Sequence, residues 1–254
     1  LQAVISYFFA EMDITFCVLL LLLSMSGSFI QRVCGFGFGI FIMTMLPYLM
    51  PSYQEATALS GLLSMLQSGV VLFTMWRHLN FRNLIGIFLS FCVFSYLAIR
   101  FVSVAADGSL KVILGCVLIL LGVYFLFFSN RVSVTPSARW QVSLGALSGT
   151  MGGLFGMHGP AAVVYFLNSE PRKEGYLAIC QAYFVITNVY MSVFRAGNGF
   201  MTPIVGYGVL ISLAGIGVGV WLGSMVFDRI PQLTLKRIIY CYMILAGVIA
   251  IAVR

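Results

Sequence analysis

The chain has 254 residues, of which 61% are hydrophobic and only 8% charged. A soluble domain is about half apolar and about a quarter charged, so this composition excludes a soluble globular enzyme and a disordered chain. The net charge of +7 comes from single Lys and Arg residues scattered between apolar runs. That is a membrane-flanking pattern and not a nucleic-acid face.

Ten apolar segments follow one another and leave no stretch for a soluble domain. Before them the chain lacks an opening Met, Lys or Arg and soon meets Glu11 and Asp13. This is unlike the basic start of a cleavable leader, and a start trimmed by a few residues is expected. The segments are Ile14 to Ile30, a short Phe36 to Met50, Ala56 to Trp76, Leu84 to Ile99 and Leu110 to Phe128. Then come Trp140 to Phe155, a short Ala161 to Leu167, Tyr176 to Phe194, Ile204 to Phe227 and Leu233 to Val253. Turn-forming pairs separate several of them: Asp107-Gly108, Thr135-Pro136, Glu170-Pro171, Asn198-Gly199 and Ile230-Pro231.

Basic residues set the expected orientation. Alternate connections hold Arg32, Arg77, Arg82, Arg131, Arg139, Arg172, Lys173, Arg229, Lys236 and Arg237 on one side. The other side holds Arg100, Lys111, Arg195 and Arg254. The richer side is cytoplasmic by the positive-inside rule, which puts both termini outside.

Two short, glycine-interrupted segments in matching places point to a transporter site. The first runs from Gln31 to Gly39 and holds Gly35, Gly37 and Gly39. The second runs through Gly152, Gly153, Gly156, His158, Gly159 and Pro160. A shift of 121 residues lays Gly35 on Gly156 and Gly39 on Pro160. Each opens a block of five segments. Five is odd, so the second block enters the membrane from the opposite side.

The same shift maps Ser60, Gln67 and Thr74 of the third segment onto Gln181, Asn188 and Arg195 of the eighth. The seven-residue spacing keeps each set on one helix face. Such stripes line a substrate path or glue helices together. Glycine lets the chain leave helical geometry and lets a ligand approach the backbone. A helix that starts inside the membrane turns free N–H groups and a positive dipole end on its surroundings. Two such starts from opposite sides make an anion cradle, and unwound backbone at this depth survives only where it lines a cavity or is covered by protein.

These residues resemble the sulfite exporter TauE/SafE family of membrane transporters. The run Gly152-Gly153-Leu154-Phe155-Gly156-Met157-His158-Gly159-Pro160 is similar to that family's turn opening the second half. Gly35-Phe36-Gly37-Phe38-Gly39 is a looser match to its first turn. His158 and Phe38 stand where the family has small residues. One adds a titratable group and the other adds bulk. The resemblance implies export of small sulfur-containing anions such as sulfite or short organosulfonates.

Individual residues divide between structural and functional uses. Arg195 is a snorkelling interfacial residue or an anion contact. Arg32 lines the pore or anchors at the surface. His158 is structural, donates to an anion, or titrates in proton coupling. His78 reads as surface. Glu55 and Glu174 favour helix starts or take part in proton coupling. The six cysteines read as small buried hydrophobes. The ladders Gly215-Gly219-Gly223 and Gly145-Gly149-Gly153 suit close helix packing within the protomer or, for the first, at a homodimer contact.

The expected fold is therefore an all-α integral membrane protein of two inverted-topology repeats, residues 1–130 and 131–254. Each repeat holds about five helical segments and opens on a short broken or re-entrant helix. The expected site combines Arg32, Gly35, Gly37, Phe38, Gly39 and Gln67 of the first half with Gly156, His158, Gly159, Pro160, Gln181, Asn188 and Arg195 of the second. The expected partners are a small anion and the lipid bilayer, with no nucleic acid and no cofactor, in a bacterial inner membrane. No phosphate-binding loop for ATP is present in the sequence, so a gradient or an outside partner must supply the energy. An intramembrane enzyme lacks a catalytic constellation here. A channel needs a continuous polar pore, which two opposed re-entrant turns suit less well than alternating access.

Overall fold

The computed structural model describes residues 14–79, 84–127, 137–170, 172–226 and 232–252, except for the side chains of 173 and 232–239. Arg82, Arg131, Arg229 and Arg254 of the charge count lie outside the described residues, as do Thr135-Pro136 and Ile230-Pro231. So do the side chains of Lys173, Lys236 and Arg237.

The described residues are helical almost throughout. Helix α1 spans Ile14–Cys34, and two short helices follow, α2 (Phe38–Met43) and α3 (Leu46–Leu49). Next come α4 (Tyr53–Met75), α5 (Ile85–Val102) and α6 (Asp107–Phe127). The later part holds α7 (Ala138–Phe155), α8 (Gly159–Ser169), α9 (Lys173–Gly197), α10 (Pro203–Val226) and α11 (Gln232–Ala252). By length and composition α1, α4, α5, α6, α9 and α10 are able to cross a bilayer. Their outer faces carry exposed Leu22, Val93, Leu97, Leu120, Leu210 and Trp221, while Gln31, Gln67, Gln181, Asn188 and Arg195 are buried. Apolar outside and polar inside is the inverse of a soluble protein, and the chain is a multi-pass membrane protein.

Two boundaries differ from the sequence reading. The first segment was expected to end at Ile30, before the polar pair Gln31-Arg32. Helix α1 instead continues to Cys34, because both polar side chains find partners within the bundle. The second segment, a short run from Phe36 to Met50 in the sequence reading, holds two helices, α2 and α3. Pro47 sits in the first turn of α3 and has no N–H to give to a continuing helix. The hydroxyl of Thr44 bridges the break, donating to the Phe41 carbonyl at 2.7 Å and lying 2.7 Å from the Tyr242 hydroxyl.

Contacts come in matched pairs. Helix α1 packs along α10 as α7 packs along α5, while α4 lies against α9 and α6 against α11. The glycine ladders make these approaches close. A Cβ on Gly215 would stand 2.5 Å from the Leu21 carbonyl oxygen of α1, and one on Gly149 would stand 2.6 Å from that of Phe91 on α5. Both ladders are thus used within the protomer. The central helices α9 and α4 are the most enclosed of the spans. Ser52 caps the start of α4: its hydroxyl oxygen accepts the Glu55 N–H at 3.2 Å, and the hydroxyl donates to the Glu55 carboxylate at 2.9 Å. The other Glu55 oxygen accepts from Thr202 at 2.6 Å. Glu55 therefore serves the helix start, and Glu174 is exposed.

Candidate functional site

Both glycine turns reach the middle of the bundle and touch there. Turn one leaves α1 with Gly35 at φ +83° and Gly37 at φ +113°, and turn two leaves α7 with Gly156 at φ +66°. Left-handed values of this kind are strained for residues with a side chain. A Cβ on Gly39 would stand 2.7 Å from the Gly156 carbonyl oxygen. Glycine is needed at that point to let the two backbones meet.

Each turn is held by a polar side chain from the central helix of the other half. Gln181 of α9 donates to the Gly35 carbonyl at 3.0 Å, and Ser60 of α4 donates to the Gly156 carbonyl at 3.4 Å. The 121-residue shift exchanges these two contacts. Gln31 completes turn one. Its side-chain oxygen accepts the Phe38 N–H at 3.2 Å, while its amide nitrogen donates to Ser68 at 2.9 Å and to Gln181 at 3.1 Å. In turn two, Ser148 donates to the His158 carbonyl at 2.7 Å and accepts from the Tyr183 hydroxyl at 2.9 Å.

Between the turns lies a cavity of about 10 Å³, lined by Gln31, Ser64, His158, Phe184, Met157 and the glycines 37, 39, 156 and 159. That is the least space that holds one water. A polyatomic anion enters only if the turns separate, so this arrangement is closed around its centre. Helix α8 starts here with Pro160 in its first turn, its N-terminal N–H groups and positive dipole end directed inward.

Arg195 is the most telling residue. It is fully buried, so it is neither a snorkelling side chain nor a member of the external loops in which the charge count placed it. One guanidinium nitrogen, Nη2, donates to the Gly152 carbonyl at 2.8 Å, in the last turn of α7 where the helix dipole is negative. Its Nε and Nη1 have no hydrogen-bond partner, and among the described residues no acid pairs with it. Nη1 and the side-chain oxygen of Asn188 both crowd the face of Gly61, where a Cβ would stand 2.6 Å from the former and 3.2 Å from the latter. Arg195 lies in the last turn of α9, and its charge is enclosed by protein and not by solvent. Such residues usually mark a substrate or ion path.

Of the residues expected from sequence, Gly37, Gly39, Gly156, His158 and Gly159 line the cavity. Gly35, Gln67, Gln181, Asn188 and Arg195 are buried around it. The Gln67 amide nitrogen and the Asn188 side-chain oxygen have no partner. The other three point elsewhere. Phe38 packs on Gly27, Pro160 borders a separate apolar cleft with Leu144 and Met151, and Arg32 donates to Ser224 of α10 at 2.8 Å. Thr74, the sequence counterpart of Arg195, is exposed and bonds back to the Val71 carbonyl. Sequence reasoning missed Gln31, Ser64, Ser148 and Thr187. Gln31 had one signal, a polar residue four places before a turn glycine.

Against known families, residues 19–249 match the one described as Sulfite exporter TauE/SafE. A relative from Cupriavidus necator, the "Probable sulfite/organosulfonate exporter TauE", is 24% identical over 233 residues, covering 87% of this chain and 88% of its own length. No solved structure matches the chain.

Proposed function

The chain belongs to the sulfite exporter TauE/SafE family of membrane transporters, and we propose that it exports small sulfur-containing anions, sulfite or short organosulfonates, by alternating access. The observation that carries this reading is the buried Arg195, unpaired with any acid among the described residues and set beside the meeting point of two broken helices. A permanent positive charge of this kind is costly unless an anion visits it. Guanidinium N–H groups suit the oxygens of sulfite and sulfonate.

Alternating access follows from two inverted repeats rocking about the fixed centre. The exchanged contacts Gln181 to Gly35 and Ser60 to Gly156, with the matched helix pairs, support that symmetry. So does the closed cavity, which is too small for the anion until the halves move. The expected orientation has both termini outside, in a bacterial inner membrane. Arg195 leaves the sparse side of the charge count, which strengthens the bias. A reporter fused to the C-terminus tests this: cytoplasmic activity would overturn the orientation.

The direct test is sulfite and methanesulfonate flux in proteoliposomes. Saturable flux in the parent and its loss in Arg195→Gln are expected. Flux linear in concentration would favour a channel, and unaltered flux in Arg195→Gln would remove that residue from the site.

A further inference from the structure

We propose that the central site takes its oxyanion in a singly protonated form, with Nδ1 of His158 accepting the hydrogen bond from the substrate's hydroxyl. This rests on the reading that the cavity between the turns binds the transported anion.

The argument starts from one hydroxyl proton. His158 lines the cavity and is 3% exposed. Its Nε2 lies 3.0 Å from the Thr187 hydroxyl oxygen. That hydroxyl oxygen also lies 2.6 Å from the Tyr183 carbonyl oxygen and 3.4 Å from that of Phe184. A carbonyl only accepts, so the single Thr187 proton goes to Tyr183 and the Thr187 oxygen must accept from the histidine. The hydrogen-bond network thus assigns the proton to Nε2, and in the neutral ring Nδ1 carries a lone pair. Nδ1 is buried and, among the described residues, has no partner.

The neutral ring is the form that fits its surroundings. Phe91, Phe184 and Tyr183 enclose it, with ring centroids at 5.6, 5.2 and 6.0 Å. The charged or titratable groups facing it are Arg195 and Tyr183, both from α9. Helix α5 presents Phe91, α7 presents Gly152 and Ser148, and α4 presents Ser64 across the cavity. An imidazolium would bury a second positive charge near Arg195, with no acid among the described residues to balance it.

A lone pair at the edge of an anion site repels a bare oxyanion and welcomes an O–H. The rest of the wall offers donors: the Ser64 hydroxyl and the N–H groups at the start of α8. Several donors and one acceptor match a hydrogen-bearing monoanion, which presents several oxygens and one hydroxyl. Hydrogen sulfite in its hydroxyl form has that pattern. A fully deprotonated dianion and an alkylsulfonate lack the hydroxyl.

The test is initial-rate sulfite flux in proteoliposomes of the full chain across the neutral range, where sulfite and hydrogen sulfite exchange. Protein-free liposomes supply the leak correction, and methanesulfonate serves as the competitor without a hydroxyl. In the parent, KM counted as total sulfite should rise about tenfold per pH unit once the dianion dominates, while KM counted as hydrogen sulfite stays constant. Methanesulfonate should compete at least about tenfold more weakly than hydrogen sulfite. His158→Gln retains a donor toward Thr187 but no acceptor at the Nδ1 position, and should flatten the pH profile. Thr187→Val frees the ring to carry its proton on Nδ1 and should weaken the preference for hydrogen sulfite about tenfold. A parent KM that is flat in total sulfite, or that follows the dianion, overturns the proposal whatever the variants do. So does an unchanged pH profile in His158→Gln. Absence of saturable flux for both probes at every pH overturns the transport reading itself, which separates the two failures.

Discussion

Turn one, from Gly35 to Gly39, and turn two, from Gly156 to Pro160, stand 121 residues apart in sequence and meet at the centre of the bundle. Their supports differ. Turn one holds two left-handed glycines, leads into two short helices, and is bound by the neutral amides of Gln31 and Gln181. Turn two holds one left-handed glycine, leads through Pro160 into a single 11-residue helix, and has Arg195 and His158 beside it. The contacts that hold the turns are matched but the side chains beside them are not: neutral amides flank the first turn, and a guanidinium and an imidazole flank the second.

This comparison breaks most sharply at Arg195. Arg195→Gln removes the only charge at turn two among the described residues and should cut flux about 10–100-fold, the loss expected when a charged hydrogen-bond donor is deleted. The matched change on the other half, Thr74→Val, should leave flux within about twofold, because Thr74 is exposed and bonds only to its own helix. Equal effects in proteoliposome flux would erase the asymmetry.

Next in size is the contact between the turns. Gly39→Ala places a methyl against the Gly156 carbonyl, and overpacking of this kind costs about 1–3 kcal/mol. A lower Tm in detergent and about tenfold slower flux are expected. An unaltered Tm would show that the turns separate freely.

The smallest expected effects sharpen the symmetry. Gln181→Leu loses the 3.0 Å bond to Gly35 and the bridge to Gln31, whereas Ser60→Ala loses one 3.4 Å bond. The first should lower stability by about 1 kcal/mol, and the second by less. Chemical-denaturation midpoints in detergent give the order, and a larger loss in Ser60→Ala would contradict the geometry.

Much of this was legible in the sequence, for physical reasons. Membrane helices betray themselves by length and apolarity. Glycine turns stand out because few other residues allow their backbone conformations. The stripe of Gln181, Asn188 and Arg195 followed from helical spacing, and all three are buried. Burial direction was harder to read. Arg195 and Arg32 look alike in sequence, yet one is enclosed beside turn two and the other reaches Ser224. Thr74 shares the spacing of its stripe but lies where α4 emerges from the bundle. Gln31 was hidden because its counterpart under the shift is Gly152, which has no side chain to suggest a role. Phe38 and Pro160 belong to the right turns, but their side chains face away from the cavity, a matter of rotation that spacing alone does not reveal.

The most direct measurement is equilibrium binding of sulfite to the purified full chain in detergent, by calorimetry, for the parent and Arg195→Gln with both shown to be folded and monodisperse. Saturable binding to the parent that Arg195→Gln abolishes is the predicted result. Equal binding to both proteins would contradict an anion site at turn two.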